Sequence, residues 1–152
     1  MENLLMQLKD LGMASILGLA AIGSGLGAGA AGMAAVGAWK KAFIQNKPAS
    51  FIMLAFVGAP LTQTIYGMIV MNKMAQASAQ NGLYFLSIGI FCGSAMGVSA
   101  WMQGKAGACA ADAMGETGKG FGNYLVVLGV VETVALFVMT FSLVLINRLL
   151  GA

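Results

Sequence analysis

The chain has 152 residues, 59% of them hydrophobic and only 9% charged, where an ordinary soluble domain carries about 25% charged residues. With a mean hydropathy of +0.86 and a net charge of +3, this composition excludes a soluble fold. The apolar runs use up nearly the whole length and leave no room for a soluble catalytic domain or a nucleic-acid-binding module.

Met1 to Asp10 is mixed in charge, and the run that follows, Leu11 to Trp39, carries no charge at all. That run exceeds the roughly 20 residues needed to cross a bilayer and is too long for the core of a signal peptide. It reads as a retained first transmembrane helix. Pro48 to Asn72 and Met74 to Gly104 are equally free of charge and predict the second and third spans. Gly120 to Asn147 predicts the fourth, interrupted once, by Glu132. The expected fold is therefore an all-α membrane protein of four transmembrane helices. They pair as two hairpins that look like a duplication, residues 1–76 and 77–152.

In each half the first helix is rich in small residues, such as Gly23, Gly25, Gly27 and Gly29 in helix one and Gly89, Gly93 and Gly97 in helix three. Gly25 to Gly29, and Gly89 to Gly93 to Gly97, recur every four residues, so each set lines one helical face and lets a neighbouring backbone approach closely. Lipid supplies no hydrophobic drive for helix association, and two such faces per chain exceed what an isolated bundle needs. They predict a homo-oligomeric ring with the glycine helices at its inner wall. Gly27-Ala28-Gly29-Ala30-Ala31-Gly32 matches the dinucleotide-binding G-x-G-x-x-G pattern, but no strand precedes it. The first acidic residue downstream is Asp112, far past the position of a ribose-binding carboxylate. Helix packing explains the pattern, and no organic cofactor is expected.

The chain has no histidine, which removes histidine metal sites and proton relays. Cys92 and Cys109 fall in one predicted helix, about 25 Å apart by helical rise, too far to bridge within the chain. Lys40, Lys41 and Lys47 lie between helices one and two, and Lys105 and Lys119 near the connection of three and four, against Lys9, Lys73 and Arg148 on the other side. Cytoplasmic loops collect Lys and Arg, so both termini are expected on the non-cytoplasmic side of the cell membrane.

Glu132 lies deep in the fourth span, where insertion scales put an ionised side chain at about 2.5–3.5 kcal/mol, and such residues mark ion or proton pathways. The bland alternative is a protonated Glu that bonds a neighbouring helix. Counting back from the outer helix ends at 1.5 Å per residue places Gln63, Gln103 and Glu132 within about two helical turns of one depth. Thr62 and Tyr66 share a helical face just after Pro60, which cannot donate a backbone hydrogen bond and bends the helix. The result is an irregular, oxygen-rich patch. Glu132, Gln63, Gln103 and Thr62 supply one carboxylate and three neutral oxygens, a donor set suited to a small hard cation. A backbone carbonyl could complete five-fold coordination. A proton site needs fewer parts, so the surplus of neutral oxygen favours Na⁺ over H⁺.

Three local motifs, Pro60-Leu61-Thr62-Gln63-Thr64-Ile65-Tyr66-Gly67, Gln103-Gly104-Lys105 and Val130-Val131-Glu132-Thr133, with the duplicated four-helix layout, resemble the membrane rotor proteolipid of V-type ATPases, known as the K subunit in bacteria and the c subunit in eukaryotes. The resemblance covers essentially the whole chain. It implies that Na⁺ is held by Glu132, Thr62, Gln63, Gln103 and the main-chain carbonyl of Ala59, with Tyr66 steadying the glutamate. It also implies a stator membrane subunit bearing an arginine, central-stalk subunits, and ATP consumed on partners, so the chain itself is not an enzyme. Leu61 stands where the first hairpin would carry its own carboxylate, which leaves one ion site per four helices and suits an ATP-driven pump. The rival readings are a proton-carrying ring of the same architecture, a small secondary transporter with paired repeats, and a purely structural membrane oligomer.

Overall fold

A computed structural model describes residues 1–151. Four stretches are helical and long and apolar enough to cross a membrane: Glu2–Ile44, Phe51–Ala75, Ala79–Thr117 and Phe121–Leu150. In hydrocarbon every backbone polar group has to be satisfied within the segment, and helices do this unaided. The elements are α1 (Glu2–Ile44), α2 (Leu54–Gly58), α3 (Thr62–Ala75), α4 (Gly82–Thr117) and α5 (Phe121–Leu150). The second span is α2 and α3 in series, joined by a single 3₁₀ turn over Ala59–Leu61 that holds Pro60. The ring at Pro60 removes one N–H from the ladder, and the helix tightens there without ending.

The tight α4–α5 connection turns on two glycines with positive φ, Gly118 at 66° and Gly120 at 89°, a backbone region that favours glycine. At the same end an exposed ion pair of 2.8 Å joins Lys41 of α1 to Glu116 of α4. The first and last described residues lie at the opposite end of the bundle. There Lys9, only 7% exposed, donates from Nζ to the carbonyls of Ala77 (2.6 Å) and Ala75 (3.1 Å). Ala75 ends α3, where the last carbonyls have no intrahelical partner and carry the negative dipole end, and Ala77 lies just past it, so a buried ammonium is well placed there.

α1 and α4 run parallel and in contact along most of their length, backbone against backbone. Gly12 meets Phe85 and Gly89, Gly23 meets Gly97, and Gly27 meets Gly104 and the carbonyl of Ala100. A Cβ at any of these glycines would strike main-chain atoms. Gly89, Gly93 and Gly97 form a packing face as the four-residue spacing predicts, and their partner is α1 of the same chain. Gly25 and Gly29 take no part in this seam, because a Cβ at either meets nothing within 4 Å inside the chain. The packing row of α1 is Gly12, Gly23 and Gly27. The pattern Gly27 to Gly32 lies inside α1, with no strand beside it.

One correction concerns Lys105. α4 continues to Thr117, so Lys105 lies well inside the helix and not near the connection that follows it. Cys92 and Cys109 are both free.

The apolar interior falls into two clusters, one around Ile16, Val70, Phe85 and Ile146 and one around Ala35, Phe56, Ala111 and Leu128. Between them lies a polar layer containing Gln63 and Gln103, both fully buried.

Candidate ion-binding site

The polar layer is built from three helices. α3 begins at the 3₁₀ turn, so Thr62, Gln63 and Tyr66 occupy its first turns. Gln103 comes from α4 and Glu132 from the middle of α5. Thr62 Oγ1 lies 3.0 Å from the carbonyl oxygen of Ala59, to which it donates, and 3.1 Å from Gln63 Oε1. Gln63 Nε2 donates to Gln103 Oε1 at 2.8 Å. Gln103 Nε2 reaches both the Leu128 carbonyl at 3.0 Å and Glu132 Oε2 at 3.2 Å. Tyr66 donates its hydroxyl to Glu132 Oε1 at 2.5 Å. A single connected network therefore runs from the Ala59 carbonyl to the carboxylate and takes in Thr62, Gln63, Gln103, Glu132 and Tyr66. Pro60 is buried beneath it.

The local reasons are legible. The carbonyl of Ala59 and the hydroxyl of Thr62 meet because a threonine hydroxyl in a helix bonds back to the carbonyl three or four residues earlier. Gln63 and Gln103 are complementary amides, each with a donor and an acceptor end, and their pairing satisfies two side chains that burial would otherwise make costly. Both oxygens of Glu132 accept a hydrogen bond, as a carboxylate in a low-dielectric layer requires.

Two contributors lie outside what the sequence predicts. Ser99 Oγ donates to the carbonyl of Val131 at 3.1 Å, which ties α4 to the residue before Glu132. The Leu128 carbonyl takes one of Gln103's two amide hydrogens. Ser99 lies four residues before Gln103, hence on the same face of α4, and that spacing is the available signal. The Leu128 carbonyl carries no side-chain signal at all.

Glu132 itself is half-buried. An apolar groove of about 660 Å³ runs beside it between α4 and α5, lined by Val98, Ser99, Met102, Val131 and Val134 among others. Among the described residues no three His, Cys, Asp or Glu side chains cluster as a metal site. What surrounds the one carboxylate is neutral oxygen and amide.

No curated protein matches the chain. Residues 86–145 match the family model of the ATP synthase C subunit. The matched stretch holds Ser99, Gln103 and Glu132, while Thr62, Gln63 and Tyr66 lie outside it. The four long apolar helices make the chain a multi-pass membrane protein, and its second helical hairpin, α4 and α5, is similar over residues 86–145 to the ATP synthase C subunit.

Proposed function

We propose that this chain is the Na⁺-carrying rotor-ring subunit of a V-type rotary ATPase or ATP synthase. The observation that carries the proposal is the connected network of one carboxylate, Glu132, with the oxygens of Thr62, Gln63, Gln103 and Ala59 at one depth between two apolar clusters. Five oxygen donors bearing one net negative charge neutralise a monovalent cation, and oxygen donors suit small hard ions. Loading exchanges hydrogen bonds for ligation: the Gln103 amide, which turns its nitrogen to Glu132 when hydrogen-bonded, turns its oxygen to the ion. Tyr66 keeps Glu132 in place on the α3 side.

A charged carboxylate facing lipid is costly, whereas an occupied site is electrically neutral and passes through lipid as a ring of identical subunits turns. Release follows when Glu132 meets the arginine of a stator membrane subunit. ATP chemistry belongs to the partners reached through central-stalk subunits. The groove beside Glu132 is the side on which the next copy packs. The end bearing Lys40, Lys41, Lys47 and Lys119 faces the cytoplasm by the positive-inside rule, and both termini face away from it.

The test is carbodiimide labelling of Glu132 in the assembled protein at fixed pH. Labelling slows as Na⁺ rises if the carboxylate ligates Na⁺. Labelling that responds to pH but not to Na⁺ identifies the proton-carrying ring instead. No labelling at Glu132 in either series removes the carboxylate from transport.

A further inference from the structure

Lys105 is a second deeply placed charge, and the ion site does not use it. It lies two residues past Gln103, which turns it about 200° around the α4 axis, away from the polar layer. It is exposed on the face shared by α1 and α4. Along that face Ser94, Val98, Trp101, Lys105, Asp112 and Glu116 form an exposed row. Its polar end is marked by the Lys41–Glu116 ion pair, eleven residues beyond Lys105 and so about 16 Å away along the axis. A lysine stem cannot cover that distance by snorkelling. The nearer carboxylate, Asp112, is two helical turns away, about 10 Å of rise. The only ion pair among the described residues is Lys41 with Glu116. On α1 the exposed side chains remain apolar past this level, with Met33 74% and Val36 60% exposed.

The Lys105 ammonium instead stands 4.2 Å from the centre of the Trp101 ring. Trp101 is also the top of an apolar groove between α1 and α4, of about 210 Å³, lined further by Leu19, Ile22, Leu26 and Val98. Since α1 and α4 are parallel, this groove runs from Trp101 away from the polar end. A cation at the mouth of an apolar trough is complementary to one kind of molecule, an anion with a hydrocarbon tail.

We propose that Lys105 and Trp101 hold the phosphate of an anionic phospholipid, with an acyl chain in the groove below. The headgroup is drawn inward to the depth of Lys105, which neutralises a charge that otherwise faces hydrocarbon. Basic positions between transmembrane helices recognise anionic headgroups in this way. Lys105 lies across α4 from Gln103, its groove meets the one between α4 and α5 at Ser94 and Val98, and the proposal is independent of which ion Glu132 carries.

Trp101 reports directly on the test. The chain has two tryptophans, so a Trp39→Phe background leaves Trp101 as the sole fluorophore. This protein is reconstituted in its assembled form into vesicles containing phosphatidylglycerol or phosphatidylcholine brominated on the acyl chain. The expected result is a preference of about fivefold for the anionic lipid in quenching Trp101, in line with one basic residue at a membrane surface. Lys105→Gln abolishes that preference while quenching by phosphatidylcholine stays unchanged, and Lys105→Arg retains it. Equal quenching by the two lipids overturns the proposal; that result follows if a carboxylate of a second copy neutralises Lys105. A preference that persists in Lys105→Gln, or is lost in Lys105→Arg, overturns it as well.

Discussion

The seam between α1 and α4 and the polar layer between α3, α4 and α5 are built on opposite principles. The seam works by removing side chains: Gly12, Gly23, Gly27, Gly89, Gly97 and Gly104 bring two backbones into contact, and in lipid that contact is itself the attraction. The polar layer works by adding side chains, two glutamines and a glutamate whose burial is tolerable only because each has partners. A seam of this kind is rigid and indifferent to chemistry. The layer beside it is the part whose hydrogen bonds an ion can replace, and α4 belongs to both, with Gly97 and Gly104 on one face and Ser99 and Gln103 on the other.

The sharpest way to separate the two is to remove the charge and leave the shape. Glu132→Gln keeps an oxygen acceptor for Tyr66 and leaves every seam contact alone. Helix content and thermal unfolding are expected to stay near those of the parent. Na⁺ affinity, read by equilibrium binding of radioactive Na⁺ to the purified assembly, is expected to fall by more than a hundredfold, since losing the charged partner of a buried ion costs about 3–5 kcal/mol. Retained affinity would show that the neutral oxygens alone hold the ion.

The converse breaks the seam and spares the layer. Gly23→Ala places a methyl against the backbone of Gly97, which cannot move aside as a flexible side chain would. Overpacking of this kind costs about 1–3 kcal/mol and should appear as a lowered unfolding temperature in detergent. Gly29→Ala is the control, because nothing stands within 4 Å of the added carbon and replacing a mid-helix glycine gains about 0.5–1 kcal/mol. The unassembled chain should therefore gain stability with Gly29→Ala. If the assembled protein loses stability instead, Gly29 meets a neighbouring copy.

The same contrast governs what is legible in the sequence. Depth counting from helix ends places Gln63, Gln103 and Glu132 in one layer because rise along a helix is a one-dimensional quantity, and the network that joins them lies at that depth. Glycine spacing marks a face but not what the face meets. Gly25 and Gly29 share the four-residue spacing of Gly23 and Gly27, yet only the latter pair points at α4, and helix rotation decides between them. Lys105 is misleading for a related reason: a charge after an apolar run looks like a helix end, while α4 runs twelve residues further before Gly118 stops it with φ 66°. Lys9 reads as a surface charge, although its burial against the Ala75 and Ala77 carbonyls depends on tertiary packing.

Within the layer a smaller effect tests whether Tyr66 acts through the carboxylate. Tyr66→Phe removes the hydroxyl that donates to Glu132 Oε1 and keeps the ring packed against the apolar cluster beside it. Hydrogen bonds to charged groups contribute about 1.5–3 kcal/mol, so Na⁺ affinity should drop by roughly tenfold or somewhat more, with little change in unfolding temperature. An unchanged affinity would mean that Gln103 alone positions the carboxylate.

Ser99→Ala is the mildest change and the most discriminating, because Ser99 touches no predicted ion ligand. Its hydroxyl donates to the carbonyl of Val131, an oxygen within the α5 helical ladder, so the substitution orphans no buried donor. The cost should sit at the low end for a hydrogen bond, about 0.5–1 kcal/mol. Stability and affinity then separate two roles. If Ser99 only fastens α4 to α5, the unfolding temperature falls slightly and Na⁺ binding is unaffected. If it sets the rotation of α5 that points Glu132 at Gln103, affinity falls about two- to threefold as well. The adjacency of Val131 to Glu132 in the helix favours the second outcome, and Ser99→Thr, which keeps the donor, should restore the affinity that alanine loses.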